Sequence, residues 1–191
     1  VKEDFIIING DDFYGDDTYK VAFNYLKGLP AGTRGAYANV AFQVKNTMTE
    51  NGAVKRGVAF QDKNHYLTKL VESNIERVGD KIVATPLEGG DAFEVQPDDL
   101  VSMNLFCFNV DLMEHLKRMF PVWLKENINV PKSEFLIPTV VDQLVNEGKA
   151  SLKLLSTNSV WFGVTYKEDK PGVVKSLAAL VEKGVYKKGL Y

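Results

Sequence analysis

The sequence predicts an α/β protein, a mixed and mostly parallel central sheet flanked by helices, built as a single domain over residues 1–191. Three observations predict it. Phe5-Ile6-Ile7-Ile8 is a continuous apolar run stopped by Asn9-Gly10, the pattern of a strand buried on both faces in the parallel part of a sheet. A segment of helical period follows it at once. At 191 residues the chain can bury one good-sized core but is short for two.

Taken in order, Asp16 or Asp17 caps a helix to about Lys27, with Val21, Ala22, Tyr25 and Leu26 on one face and Gly28 and Pro30 as its stop. Alternation then takes over. Tyr37 to Val44, Val54 to Phe60 and Tyr66 to Val71 read as strands joined by turns at Glu50-Asn51-Gly52 and Asp62-Lys63-Asn64. Residues 76–98 carry Gly79-Asp80, Gly89-Gly90-Asp91 and Pro97-Asp98-Asp99, so a variable hairpin or loop with little chemistry is expected there. Leu100 to Phe108 is a further strand. Helices follow near Val110 to Glu126 and Ser133 to Glu147, the second ended by Gly148; then come a strand at Ser151 to Leu155, a short strand through Trp161, and a last helix near Pro171 to Lys183.

Composition excludes several classes of function. A net charge of −2 with scattered lysines and arginines lacks the basic footprint of a nucleic-acid or anionic-membrane binder. No apolar run approaches the ~20 residues of a spanning helix, and no signal peptide is visible. The lone Cys107 permits no internal disulfide, and His65 and His115 lack zinc-ligand spacing, which fits a reducing cytoplasm. A small-molecule partner is expected, and a homo-oligomer is left open. Because the chain opens at Val1 and goes almost at once into a buried-looking strand, it reads as starting mid-protein.

Asp11, Asp12, Asp16 and Asp17 crowd the loop beyond the carboxyl end of that first strand, where α/β sheets bind ligands. Gly10 lets backbone approach a ligand, and an Asp there supplies a hard oxygen to a phosphate-borne Mg²⁺. Turn and capping chemistry is the plainer reading, and it is the stronger one for Asp16 and Asp17. The ligand spacing of an EF-hand is absent.

Asn9-Gly10-Asp11-Asp12-Phe13-Tyr14-Gly15 after an apolar strand resembles the Asn-Ala-Asp-Asp-Phe-Tyr-Gly segment of sugar-phosphate nucleotidyltransferases. Further matches follow in the same order: Gly52 to Val58, Leu67 to Glu72, Val101-Ser102-Met103-Asn104-Leu105, Glu134 to Pro138 and Trp161 to Asp169. Together they span nearly the whole chain.

This resemblance implies a Rossmann-like nucleotidyltransferase fold, of which the chain would be the C-terminal two-thirds. It implies a reaction in which a sugar-1-phosphate oxygen attacks the α-phosphorus of a nucleoside triphosphate and pyrophosphate leaves, with uridylyl transfer to glucose-1-phosphate as the plain expectation. Asp11 would hold Mg²⁺, with Asp12 beside it. For a second metal carboxylate the family places an Asp just after the Trp of the late strand, where this chain has Gly163; Asp169 is the nearest substitute, and it also suits a helix cap. Glu72 would accept hydrogen bonds from sugar hydroxyls, with Ser102 and Asn104 beside the sugar and Glu134 near it. Thr165 and Lys167 would contact phosphate. A Lys that commonly follows the family Glu is replaced by Ser73, which leaves Lys69, Arg77 or a residue outside this chain as the phosphate's cation. The family's Gly-rich nucleotide loop with its Arg and Lys is not found in these residues, so the chain alone is expected to be catalytically incompetent. Two other readings remain: a cytidylyltransferase acting on a phosphorylated alcohol such as phosphocholine, and a non-catalytic paralogue that binds a sugar nucleotide.

Overall fold

The computed structural model describes residues 1–49, 52–164 and 167–189. In chain order these form β1 (Phe5–Ile7), α1 (Asp16–Gly28), β2 (Ala36–Gln43), β3 (Val54–Gln61), β4 (Leu67–Val78), β5 (Lys81–Pro86), β6 (Phe93–Val95), β7 (Leu100–Phe108), α2 (Leu112–Asn127), α3 (Ile137–Asn146), β8 (Ser151–Thr157) and α4 (Asp169–Glu182). Among them no helix is long and apolar enough to cross a membrane.

The eight strands form one sheet in the order β6-β5-β4-β3-β7-β2-β8, with β1 also paired to β7. The expectation of a mostly parallel, Rossmann-like sheet is incorrect. β2 with β8 is the parallel pair among the described strands, and the other pairings are antiparallel. Strand insertion is the physical reason. β1 and β2 do run the same way, joined by α1, but β7 lies between them and antiparallel to both, with Ile6 opposite Cys107 and Ala38 opposite the same residue on the other side. The apolar run at Phe5 is therefore no central strand: β1 is three residues long and half-buried. The sheet also curls, because the β3–β4 turn reaches β8, where Tyr66 bridges Lys153 and the Leu154 N–H donates to the His65 carbonyl at 2.7 Å.

Helices do cover both faces. On one side α1 sets Ala22, Val21, Tyr25 and Leu26 against Ala38, Val40, Phe42, Leu105 and Cys107; on the other, α2 and α3 set Leu112, Val140, Val141 and Leu144 against Tyr37, Phe106, Phe108 and Leu152. Alternate residues of β2 and β7 thus enter opposite cores, so both strands are buried throughout most of their length. Burial holds the Cys107 thiol up at about 12, well away from nucleophilic use.

Two local readings also change. Asp16 and Asp17 lie in the first turn of α1 without capping it: Gly15 is the N-cap, Asp16 pairs with Lys20, and Asp17 accepts a hydrogen bond from the Thr157 hydroxyl at 2.8 Å. The short strand through Trp161 is reduced to one bridge, Phe13 to Phe162.

Candidate functional site

One edge of β7 positions the site. β3 pairs with β7 at Ser102 and Val101, and β1 pairs with it at Phe106 to Phe108, so the two lie end to end along the same edge and leave residues 103–105 between them. On the opposite edge, residues 103–105 of β7 face only Val40 of β2, because Asn39 pairs with Phe106 and Ala41 with Ser102. The surplus residues make a bulge, and a bulge re-aims side chains. Asn104 takes a φ of 60° there and is exposed in a strand otherwise buried on both sides of it. Asn is one of the few residue types that accepts this left-handed backbone.

A polar cleft of about 240 Å³ opens at this gap. It is lined by Asn9, Asp11 and Asp12 beyond β1, by Lys55, Arg56 and Gly57 of β3, by Glu72 of β4, by Ser102 and Asn104 of β7, and by Trp161. The acidic loop is pinned on two sides. The Tyr14 hydroxyl, fully buried, accepts the Asn9 N–H at 3.1 Å and donates to the Met103 carbonyl at 2.8 Å, one of the backbone groups that the gap leaves free. Its oxygen also lies 3.2 Å from Asp12 Oδ2, which accepts the Asn9 side-chain amide at 2.9 Å. On the other side Phe13 exchanges two backbone hydrogen bonds with Phe162 and stacks on its ring at 5.4 Å. Burial raises the Tyr14 phenol far above its usual range, so it stays a neutral donor.

Ser102 ties the bulge together: its Oγ accepts the Asn39 side-chain amide at 3.0 Å and the Asn104 N–H at 3.3 Å. Glu72 of β4 stands directly opposite Gly57 of β3, and a methyl group at Gly57 would come within 2.8 Å of the Glu72 carboxylate. The glycine is what lets that carboxylate lie down over the strand.

Loss of water around its carboxyl, and then the negative charge of Glu88, hold Glu72 above the usual carboxylate range. Glu88 sits in the stretch expected to hold little chemistry. A folded-state value above the unfolded one contributes stability that is fully present below the unfolded pKa and is lost as pH rises through the folded value. Glu72→Gln is therefore expected to melt at a higher temperature than wild type at neutral pH, with the difference closing below about pH 4. Melting curves of both proteins across that range check this, and a lower melting temperature for the variant at neutral pH contradicts it.

The structure thus brings together Asp11, Asp12, Glu72, Ser102 and Asn104. Gly10 stands exposed in the same loop with nothing within 4 Å of where a Cβ would be. Other candidates lie apart. Asp169, at the start of α4, accepts a hydrogen bond from the Thr49 hydroxyl at 2.7 Å and lines an adjoining cleft with Thr47, Phe162, Gly163 and Ser176, on the far side of Arg56 and Trp161. Glu134 lines a groove between α2 and α3 with Trp123 and Phe135. Lys167 is exposed in the turn before α4, and Thr165 lies outside the described residues.

Asp11 and Asp12 are what the cleft offers a divalent cation. Mg²⁺ is ordinarily held by one or two carboxylates with substrate phosphates and water completing its shell, and exposed Asp11 fits that mode. Among the described residues no three His, Cys, Asp or Glu side chains converge as a metal site.

Sequence reasoning passed over Arg56. The signal was legible: Val54, Arg56 and Val58 alternate onto the buried face of β3, so a charge was being sent inward. Arg56 is 6% exposed, and burial pushes its guanidinium down to about 10 against the opposing pull of Asp12.

Comparison with protein-family models finds no match, and comparison with curated proteins finds none either.

Proposed function

We propose that the cleft on the edge of β7 binds the phosphorylated substrate of a cytoplasmic nucleotidyltransferase, with a sugar-1-phosphate as that substrate. One observation carries this reading. Residues from the acidic loop, β4 and β7, chosen by motif from segments far apart in sequence, line a single polar cleft. Glu72, with two acceptor oxygens, suits sugar hydroxyls, and Asn104 can both donate and accept beside it.

In the proposed reaction the sugar-phosphate oxygen forms a bond to the α-phosphorus of a nucleoside triphosphate while the bond to the bridging oxygen breaks and pyrophosphate departs. Such a transfer needs alignment and charge neutralisation more than covalent help. Mg²⁺, when bound, supplies Lewis-acid neutralisation of the phosphate oxygens. Asp11 is the side chain proposed to hold it, and the Tyr14 and Phe162 contacts keep the loop of Asp11 fixed beside the cleft.

Asp11→Asn in the full-length protein is expected to lower Mg²⁺-dependent pyrophosphate release by about a hundredfold or more, because a neutral amide loses the charge that holds the cation. Turnover at the wild-type rate would falsify the assignment. Calorimetry of the present chain with UDP-glucose tests the sugar half by itself. A binding-only paralogue is the second reading, favoured by the position of Asp169, which Thr49 holds in the adjoining cleft away from Asp11. Saturable UDP-glucose binding with no pyrophosphate release by the full-length protein selects it.

A further inference from the structure

Among the described residues Arg56 carries a buried charge with no ion-pair partner. The ion pairs among the described residues use other cations. Its hydrogen bonds go to neutral backbone carbonyls, Lys55 at 2.7 Å and Thr47 at 2.8 Å, and its face lies 4.5 Å from the Trp161 ring. Among the described residues neither the Nε of Arg56 nor the neighbouring Trp161 Nε1 has an acceptor. Burying a cation in this way is costly unless a charged partner arrives. Asp12 is the carboxylate whose charge acts on it, yet Asp12 Oδ2 is already engaged with Asn9 and Tyr14.

Position adds a second argument. Arg56 lines both the Asp11–Glu72 cleft and the adjoining cleft, so it is a cation common to the two. In the ladder it stands directly opposite Ser73, whose own hydroxyl is turned to the Val71 carbonyl. The β3–β4 register thus sets a buried guanidinium beside the residue that follows Glu72. Lys69 and Arg77 are both exposed, and neither lines the cleft.

We propose that Arg56 is the phosphate anchor of this cleft, a guanidinium kept dry under Trp161 that pairs with the phosphoryl group of the bound ligand. The inference deepens the sugar-phosphate reading and rests on it for the rest of the ligand, but the phosphate contact stands or falls separately. Arg suits the task because its planar fork matches phosphate oxygens and it remains charged at neutral pH.

The test uses the 191-residue chain with inorganic phosphate, glucose-1-phosphate and phosphocholine as probes. Trp123 and Trp161 are its two tryptophans, so Trp123→Phe, a change in the remote α2–α3 groove, leaves Trp161 as the fluorescent reporter beside Arg56. Each probe is expected to change Trp161 emission saturably. Arg56→Met is expected to bind all probes about tenfold to a hundredfold more weakly, and Arg56→Lys to recover part of the loss. If Arg56→Met does not fold, the Trp161 response with Arg56 in place decides by itself. A silent Trp161 with no binding, or unchanged affinity in Arg56→Met, overturns the proposal. Probes that bind equally and are all lost in Arg56→Met keep the anchor while removing the sugar reading. Preference for glucose-1-phosphate supports both, and preference for phosphocholine keeps the anchor but moves the substrate to a phosphorylated alcohol.

Discussion

Gly163→Asp is expected to destabilise the protein by about 2–5 kcal/mol, although it installs the carboxylate that the motif pattern leads one to expect at that position. A Cβ on residue 163 would overlap the Cη2 and Cζ2 atoms of Trp161 and fall 3.1 Å from Asp12 Oδ1. The overlap is impossible, so the indole has to leave its place over Arg56. Overpacking of this kind costs about 1–3 kcal/mol, and the lost cation–π stack adds about 0.5–2. Urea denaturation measures the sum. In a Trp161→Ala background the clash is gone, and the same substitution is expected to cost less than about 1 kcal/mol. Equal stability of Gly163→Asp and wild type, with unchanged Trp161 emission, would place the indole elsewhere. The substitution also sets a new carboxylate close to Asp12, so millimolar Mg²⁺ is expected to restore part of the lost stability by binding the folded form.

Two substitutions at Asn104 are expected to separate its backbone role from its side-chain role. Glycine accepts the φ of 60° at no steric cost, so Asn104→Gly keeps the bulge and the fold while removing the amide from the cleft. If the cleft takes a sugar nucleotide as proposed, UDP-glucose binding is expected to weaken by about tenfold or more, the scale of losing hydrogen bonds that leave a polar ligand group unpaired. Valine has the opposite effect. A β-branched residue in the left-handed region costs about 1–3 kcal/mol, so Asn104→Val is expected to lower stability and to disturb the Ser102 contact that closes the bulge. Calorimetry and urea denaturation of the pair read the two effects. Wild-type affinity in Asn104→Gly would mean that the bulge shapes the strand and its amide does not touch ligand.

Local chemistry alone determined much of this protein. Alternation marked β2 and β3 to within a residue or two, and helical period marked α1, because burial of one face leaves a period in the residues themselves; β7 was legible at Leu100 to Phe108, its observed bounds. Acidic residues directly after a strand, and an Asn and a Ser inside an apolar one, marked half of the cleft for the same reason: polar groups in such places need a partner. Strand insertion could not be read this way. Nothing in β1 or β2 records that β7, more than fifty residues further on, enters between them, since antiparallel and parallel neighbours bury the same side chains and differ only in which backbone groups pair. The bulge at Asn104, the meeting of Glu72 with Gly57 and the enclosure of Arg56 under Trp161 were likewise decided by tertiary structure, because each depends on which distant segments become neighbours.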